Sequence, residues 1–287
     1  MKRVCVFGIT GFSGRHFERF AASAGFEGAF EFCGFARNLT NAERSGCFTY
    51  READALKQSD VFEFIAEVQP AYVVNLIGAF RADSFQSLLA INVGVSRAIC
   101  DAVLKSKTQV DKILLVGSAA EYGADAMNPV REDSMLRPVN IYGLSKVYQT
   151  LLAEYYYRNY ALQIVMARTF NILGKELSPE LSIGSFMRQI DALPDGGVIK
   201  VGNISTSRDF LGIDEVSHRY WNILMKGLPG EIYNVCSGVP RTIRSVLDQL
   251  IRESGKKLVV ETDPSLLKDK DIALIYGDST KYQDLVR

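Results

Sequence analysis

Histidine is nearly absent: His16 and His218 are the only two in 287 residues. No H-E-x-x-H can be written, and a histidine-based metal centre or a Ser-His-Asp triad would rest on one of those two, so neither is expected. Cysteine is sparse and odd in number. Cys5, Cys33, Cys47, Cys100 and Cys236 are widely spaced and form no C-x-x-C. That speaks against a disulfide framework or a zinc site and predicts reduced, mostly buried thiols. Charge excess is missing too: 33 Lys plus Arg face 33 Asp plus Glu. Nucleic-acid coating rests on a basic surplus, so no nucleic-acid partner is expected. Neutrality still allows an anionic ligand held by local positive charge. Long apolar runs are also lacking. The longest, 71–80, is short and contains Asn75, so no membrane span is expected. The start imitates a signal peptide, but Gly8, Gly11 and Gly14 interrupt it and Arg15, Glu18 and Arg19 charge it. The expected location is cytoplasmic.

What is present is ordinary for a globular chain: 47% hydrophobic and 23% charged residues. The length allows one large α/β domain or two smaller ones. Short apolar runs at 3–7, 31–35, 72–77, 112–116 and 163–168 read as strands. Between them, 12–24, 60–68, 88–104 and 142–157 have helical periodicity. In 60–68, Val61, Phe64, Ile65 and Val68 share a face, and Pro70 stops the helix. This alternation predicts an α/β fold, a Rossmann-type doubly wound parallel sheet with helices on both faces. After Arg168, Gly174, Pro179, Gly184, Pro194, Gly196 and Gly197 punctuate shorter segments. The expected division is a nucleotide-binding part over 1–168, with a returning segment near 205–235, and a smaller, loop-rich substrate lobe mainly over 169–287.

Gly8-Ile9-Thr10-Gly11-Phe12-Ser13-Gly14 has the form G-x-x-G-x-x-G between the first strand and the first helix. Glycines there permit a tight turn and close approach of a pyrophosphate to the positive helix N-terminus, so a dinucleotide is expected. Many NAD-binding chains carry an acid after the second strand; here Arg37 stands there. A guanidinium pairs with a 2′-phosphate, which favours NADP(H) over NAD(H). Asp54, after the third strand, reads equally as an adenine contact or a helix N-cap.

Tyr142-Gly143-Leu144-Ser145-Lys146 is Y-x-x-x-K, whose ends share a helical face. A nearby ammonium is expected to lower the phenol's pKa and fit it for proton transfer. Upstream, 113–118 reads as a strand ending in Ser118, where open α/β sheets bind ligands. Ser118 is placed to bind a carbonyl or hydroxyl oxygen beside Tyr142.

These motifs, in this order, resemble the extended short-chain dehydrogenase/reductases, the NAD(P)-dependent sugar-nucleotide epimerase/dehydratase group. The likeness continues through Asn75-Leu76-Ile77-Gly78, Ile91-Asn92-Val93-Gly94, Ser118-Ala119-Ala120-Glu121-Tyr122-Gly123, Arg168-Thr169-Phe170-Asn171, Arg208-Asp209-Phe210 with Asp214, and Tyr233-Asn234-Val235. Within that group the chain is most similar to GDP-4-keto-6-deoxy-mannose reductases. The resemblance implies that Ser118, Tyr142 and Lys146 are catalytic. It implies that Gly8, Thr10, Gly11, Phe12, Ser13, Gly14, Arg37, Asp54, Leu76, Ile77, Gly78 and Asn92 join Tyr142 and Lys146 around the cofactor. It places Ser118, Asn171 and Arg208 on a nucleotide-diphosphate sugar, with Arg208 at the diphosphate. A homodimer through 88–104 and 142–157 is also implied.

Departures sharpen the expectation. Dehydratases of the group typically carry an acid just after the catalytic hydroxyl; Ala119 and Ala120 cannot move protons, and Glu121 is one residue late. NADPH-dependent reduction of the C4 keto group of an NDP-4-keto-6-deoxyhexose needs only the Ser/Tyr/Lys set. The alternatives are a 4-epimerase with bound NAD and, in another class, a non-catalytic NADP sensor. Group members commonly continue past 277–279 into Gly-Trp-x-Pro and a last helix; here the only tryptophan is Trp221.

Overall fold

The computed structural model describes residues 1–26, 28–124, 127–267 and 271–287. Its centre is a seven-stranded, wholly parallel sheet. The first half comprises β1 (Lys2–Phe7), α1 (Phe12–Ser23), β2 (Phe30–Ala36), β3 (Phe48–Glu52), α2 (Gln58–Val68) and β4 (Tyr72–Asn75). Then come α3 (Phe85–Leu89), a π-helical turn (Ala90–Gly94), α4 (Val95–Ser106), β5 (Lys112–Ser118), α5 (Ile141–Tyr160) and β6 (Ile164–Thr169). With a later strand, β10 (Ile232–Val235), at one edge, the strand order is β10-β6-β5-β4-β1-β2-β3. The order reverses between β1 and β4, which opens a crevice at their carboxyl ends.

Both faces of the sheet are buried, so its strands are apolar on both sides. In β1, Val4 and Val6 enter one core with Phe17, Phe20, Tyr220 and Trp221. Cys5 and Phe7 enter the other with Phe64, Ile99 and Tyr156. Four of the five thiols are buried and Cys47 is half-buried.

The second part contains β7 (Asn171–Leu173), α6 (Ser182–Ala192), β8 (Val198–Val201), β9 (Ser207–Gly212), α7 (Ile213–Lys226) and β10 (Ile232–Val235). It continues with β11 (Pro240–Thr242), α8 (Ile243–Ser254), β12 (Val259–Thr262), β13 (Leu274–Ile275) and α9 (Thr280–Val286). The expectation of a loop-rich part is corrected: α6, α7 and α8 have 11, 14 and 12 residues. The glycines read as breaks are partly close contacts. Gly184 lies inside α6 against the Ser178 carbonyl, and Gly174 lies against Ile213 and Phe12. Ile183, Phe186, Ile190, Val201, Phe210 and Leu247 form a separate core here. α7 packs against α1, β5 and β6, and β10 joins the large sheet.

One helical run bears on the expectation of no membrane span without overturning it. The helical run Phe85–Ser106 has 22 residues and contains an 18-residue window of mean hydropathy 1.5, enough by length and composition to cross a bilayer. The contiguous-run reading missed it because Asn92, Ser96, Arg97 and Asp101 interrupt the apolar residues. α4 buries Val95, Ile99 and Val103 against the sheet and packs on α2, so it is a core helix.

Candidate active site

At the end of β1 the chain turns on Gly8, whose φ of +83° suits glycine, and the Gly8 amide donates to the Phe35 carbonyl at 2.8 Å. A Cβ at Gly14 would collide with the Gly8 and Ile9 carbonyl oxygens, so this glycine lets α1 close onto the turn. Gly11 caps α1 without any side-chain hydrogen bond, leaving the first amides of the helix for an anion. Gly11, Phe12 and Ser13 form one wall of an 850 Å³ cavity. Gly8, Thr10 and Gly14 shape the turn behind it.

Leu76, Ile77 and Gly78, after β4, continue the wall with Ala79, Phe80 and Arg81. Asn92 is not among the residues that line it. Its amide is consumed inside the fold: Oδ1 accepts the Ala79 amide at 2.8 Å, and Nδ2 donates to the Ala79 carbonyl at 2.9 Å and to Ser145 Oγ at 2.8 Å. Asn92 therefore straps the 78–81 wall to α5.

Arg37 follows β2 directly, exposed and without an ion pair among the described residues. Asp54 lies off the cavity wall; its Oδ1 accepts the Leu56 amide at 3.0 Å, an Asx-type turn, while Lys57 is the N-cap of α2.

Ser118 ends β5 on the cavity wall. Its Oγ accepts the Ala120 amide at 3.2 Å, and its own amide donates to Glu121 Oε1 at 2.9 Å. These bonds form a capping box on the short turn Ala119–Glu121. Asn140 caps α5 by accepting the Gly143 amide at 2.8 Å. A Cβ at Gly143 would strike the Ala120 carbonyl, so the glycine lets α5 approach the turn after Ser118. That approach sets the Tyr142 and Ser118 side chains near one another on the cavity wall.

The electrostatics depart from expectation. Burial pushes the Tyr142 phenol above the ordinary tyrosine value; the neighbouring Ser118 hydroxyl opposes the rise, and the Glu121 charge adds to it. Lys146 does not hold the phenol down. Its Nζ turns to the Val116 carbonyl and to Gln149 Oε1, each at 2.9 Å, lying beneath Gly78. Helical i, i+4 spacing shares a face but leaves a lysine head free to choose the unpaired carbonyl at a strand end. Burial lowers Lys146 to about 8, with Glu121 opposing.

Asn171 and Arg208 both face the cavity. Asn171 Nδ2 donates to the Asp209 carbonyl at 3.1 Å. The Arg208 guanidinium, expected to be open for a diphosphate, is already engaged. It pairs with Asp271 at 2.8 Å and donates to the Ser207 and Ile272 carbonyls at 2.9 and 2.5 Å. Two features escaped the sequence reading. Arg81 is an exposed cation on the wall with no ion pair among the described residues. Its signal was a lone arginine directly after the β4 turn. Asp209 is buried and collects the amides of Ser237 and Gly238 at 2.7 and 2.9 Å.

A parallel sheet in this order, a glycine turn at its switch point and a Ser/Tyr/Lys set on one cavity define a Rossmann-type α/β protein of the extended short-chain dehydrogenase/reductase class. The chain belongs to the NAD dependent epimerase/dehydratase family, whose model matches residues 4–236. It is 27% identical to GDP-6-deoxy-D-mannose reductase of Pseudomonas aeruginosa, covering 99% of this chain and 90% of that protein. It is also 27% identical to human dTDP-D-glucose 4,6-dehydratase over 57% of this chain and 46% of that one. Among solved structures, RMD from Pseudomonas aeruginosa complexed with NADPH superposes with a TM-score of 0.83 at 24% identity, covering 99% of this chain and 92% of the other. UDP-glucose 4-epimerase from Thermotoga maritima, with UDP-glucose, gives 0.84 at 19% identity over 98% and 91%. At these identities the two structures speak for the fold.

Proposed function

We propose that this chain reduces the C4 keto group of an NDP-4-keto-6-deoxyhexose with NADPH. The observation that carries the reading is the placing of the Ser118 and Tyr142 hydroxyls on one cavity wall, with alanine at the two positions after Ser118. Ala119 and Ala120 follow Ser118, and Glu121 is fully buried with both oxygens bonded inside the fold. Proton removal from C5, which dehydration needs, finds no carboxylate at the two positions after Ser118; ketone reduction needs none. The full-length likeness to a reductase adds support.

The turn 8–14 and the 76–78 wall would hold the dinucleotide, Arg37 its 2′-phosphate and Lys146 its ribose. The fit rests on the uncapped N-terminus of α1 and on Gly14, whose missing Cβ leaves the turn compact. A bound reduced nicotinamide supplies the hydride. Ser118 and Tyr142 orient the keto oxygen, and Tyr142, kept protonated by its raised pKa, gives its proton to that oxygen as C4 gains the hydride. The C=O double bond becomes an alcohol, and solvent returns the proton to Tyr142. Arg208 would reach the diphosphate by exchanging Asp271 for phosphate oxygens. Residues 1–168 would then serve the cofactor and most of 169–287 the sugar nucleotide. The exposed Tyr148, Leu151 and Tyr155 on α5 favour a homodimer through α4 and α5, which sedimentation velocity would test.

The deciding assay mixes the protein, NADPH and a panel of enzymatically made 4-keto-6-deoxy sugar nucleotides, and follows NADPH absorbance. Oxidation with one member is expected; none with any overturns the reading. Interconversion of NDP-sugars without net cofactor use would replace it with an epimerase.

A further inference from the structure

We propose that Glu121 is a positioning residue for the Ser118, Tyr142 and Lys146 set, working through the Ser118 backbone, Thr150 and Arg168 without touching a ligand. The inference rests on the reading above that this set is catalytic.

Glu121 joins three elements with one carboxylate. Oε1 accepts the Ser118 amide at the end of β5, at 2.9 Å. Oε2 accepts the Thr150 hydroxyl at 2.7 Å, one turn beyond Lys146 on α5. The same Oε2 takes Arg168 of β6, at 3.1 Å from Nε and 3.0 Å from Nη2. Arg168 is itself buried and donates to the Tyr122 hydroxyl at 3.0 Å and to the Glu132 carbonyl at 3.2 Å. Ser118 stands on β5 and its two partners on α5. Whether the Ser118 and Tyr142 hydroxyls meet therefore depends on how these two elements are joined, and Glu121 is bonded to both.

Shape alone does not require a charge here. Apolar packing in place of a buried ion pair is often as stable or more so, so a fully buried carboxylate is a costly way merely to fill space. Room is made for it: a Cβ at Gly117 would lie 2.7 Å from Oε1. The negative charge also reaches the site. The titratable and charged groups around it are Arg168 from β6, Tyr142 and Lys146 from α5, Tyr122 beside it, and Glu132 from the following segment. Glu121 favours the cationic forms of both Arg168 and Lys146 against burial, and of the two it is Lys146 that burial lowers on balance.

Glu121→Gln keeps the shape and removes the charge. In the NADPH assay its kcat should fall about tenfold or more while KM for NADPH stays within about twofold. Its alkaline limb should move to lower pH, because Lys146 loses the charge that favours its cation. Glu121→Asp should keep the limb in place at reduced kcat. Wild-type kcat and an unmoved limb in folded Glu121→Gln overturn the proposal. If that variant does not fold, Thr150→Val decides, since it frees α5 and keeps the charge. A drop in kcat of about threefold or more, with the limb unmoved, is then expected, and wild-type kcat overturns it. A readout free of substrate separates this proposal from the reductase reading: NMR titration of [ε-13C]lysine-labelled protein, with Lys146 identified by its loss in Lys146→Arg. Titration at lower pH in Glu121→Gln supports the positioning role even if no sugar nucleotide is reduced, and unchanged titration overturns it even if one is.

Discussion

Lys146 Nζ donates to Gln149 Oε1 at 2.9 Å, three residues further along the same helix. Gln149 Nε2 in turn donates to Ser96 Oγ at 2.8 Å, and Ser96 Oγ accepts Asn75 Nδ2 at 3.1 Å. All four side chains are buried. The ammonium is thus aimed by a polar chain running from α5 through α4 to the end of β4, the strand whose following residues form the cavity wall. A satisfied buried network of this kind fixes a side chain more firmly than a surface pair does.

The pH dependence follows from Lys146. Burial lowers it to about 8, so the rate should fall as pH rises through about 8, where the cation is lost. Stability should move the opposite way. The folded value lies below the unfolded one near 10.4, so between them the unfolded chain binds more protons and stability rises with pH. Stability from this group is complete above the unfolded value and lost as pH falls through about 8. Wild type should gain about 1.5 kcal/mol relative to Lys146→Met between about pH 8 and about pH 9.5, read by urea unfolding. A constant difference between the two proteins would contradict the buried, lowered lysine.

Tyr142→Phe removes one oxygen from a side chain whose ring remains packed. Reduction should fall by about 10² to 10⁴, the usual contribution of a positioned proton donor. NADPH binding, measured by fluorescence, should change by no more than a few-fold, because the phenol is not its main anchor. Preserved cellular function in this variant would favour the non-catalytic sensor over every enzyme reading.

The parts of this fold that could be read from sequence are those whose signal is local. The alternation around β1, α1, β4 and β5 follows from apolar runs buried on both faces, and the glycine turn from backbone geometry that few other residues permit. The Y-x-x-x-K spacing placed Tyr142 and Lys146 on one helical face, yet it could not say where a flexible lysine head points. Asn92 and Glu121 were unreadable in a deeper sense. Each acts by bonding a segment far away in the chain, Ser145 and Thr150 respectively, and such pairings exist only once the sheet has brought α5 across. Arg208 was found by its motif, but Asp271, which occupies it, carries no signal of its own.

Arg37 is exposed and without an ion pair among the described residues, directly after β2, where the sequence carries no acid for the ribose. Arg37→Ala should weaken NADPH binding about 10- to 100-fold, the worth of a charge-assisted hydrogen bond or two, and leave NADH binding within about twofold. Isothermal titration with both cofactors checks this. Equal losses would remove the 2′-phosphate from Arg37 and reopen the choice of cofactor.

Asp209 lies between Arg208 and Phe210 and is wholly buried. Its Oδ1 accepts the Ser237 amide and hydroxyl, each at 2.7 Å. Its Oδ2 accepts the Gly238 and Gly277 amides at 2.9 and 3.3 Å. One carboxylate therefore fastens the turn after β10 and the segment before α9 to β9, the strand that presents Arg208. Asp209→Ala would leave three amides without acceptors, and each orphaned buried donor costs about 1–3 kcal/mol. A loss of about 3 kcal/mol or more in urea unfolding is expected. Asp209→Asn should be nearly as damaging, because its amide nitrogen would face donors instead of accepting from them. The two variants should raise KM for the sugar nucleotide while NADPH affinity holds, since β9 carries Arg208 and the cofactor turn lies on β1 and α1. A parallel loss of both affinities would mean that the two halves of the site do not depend separately on their own strands.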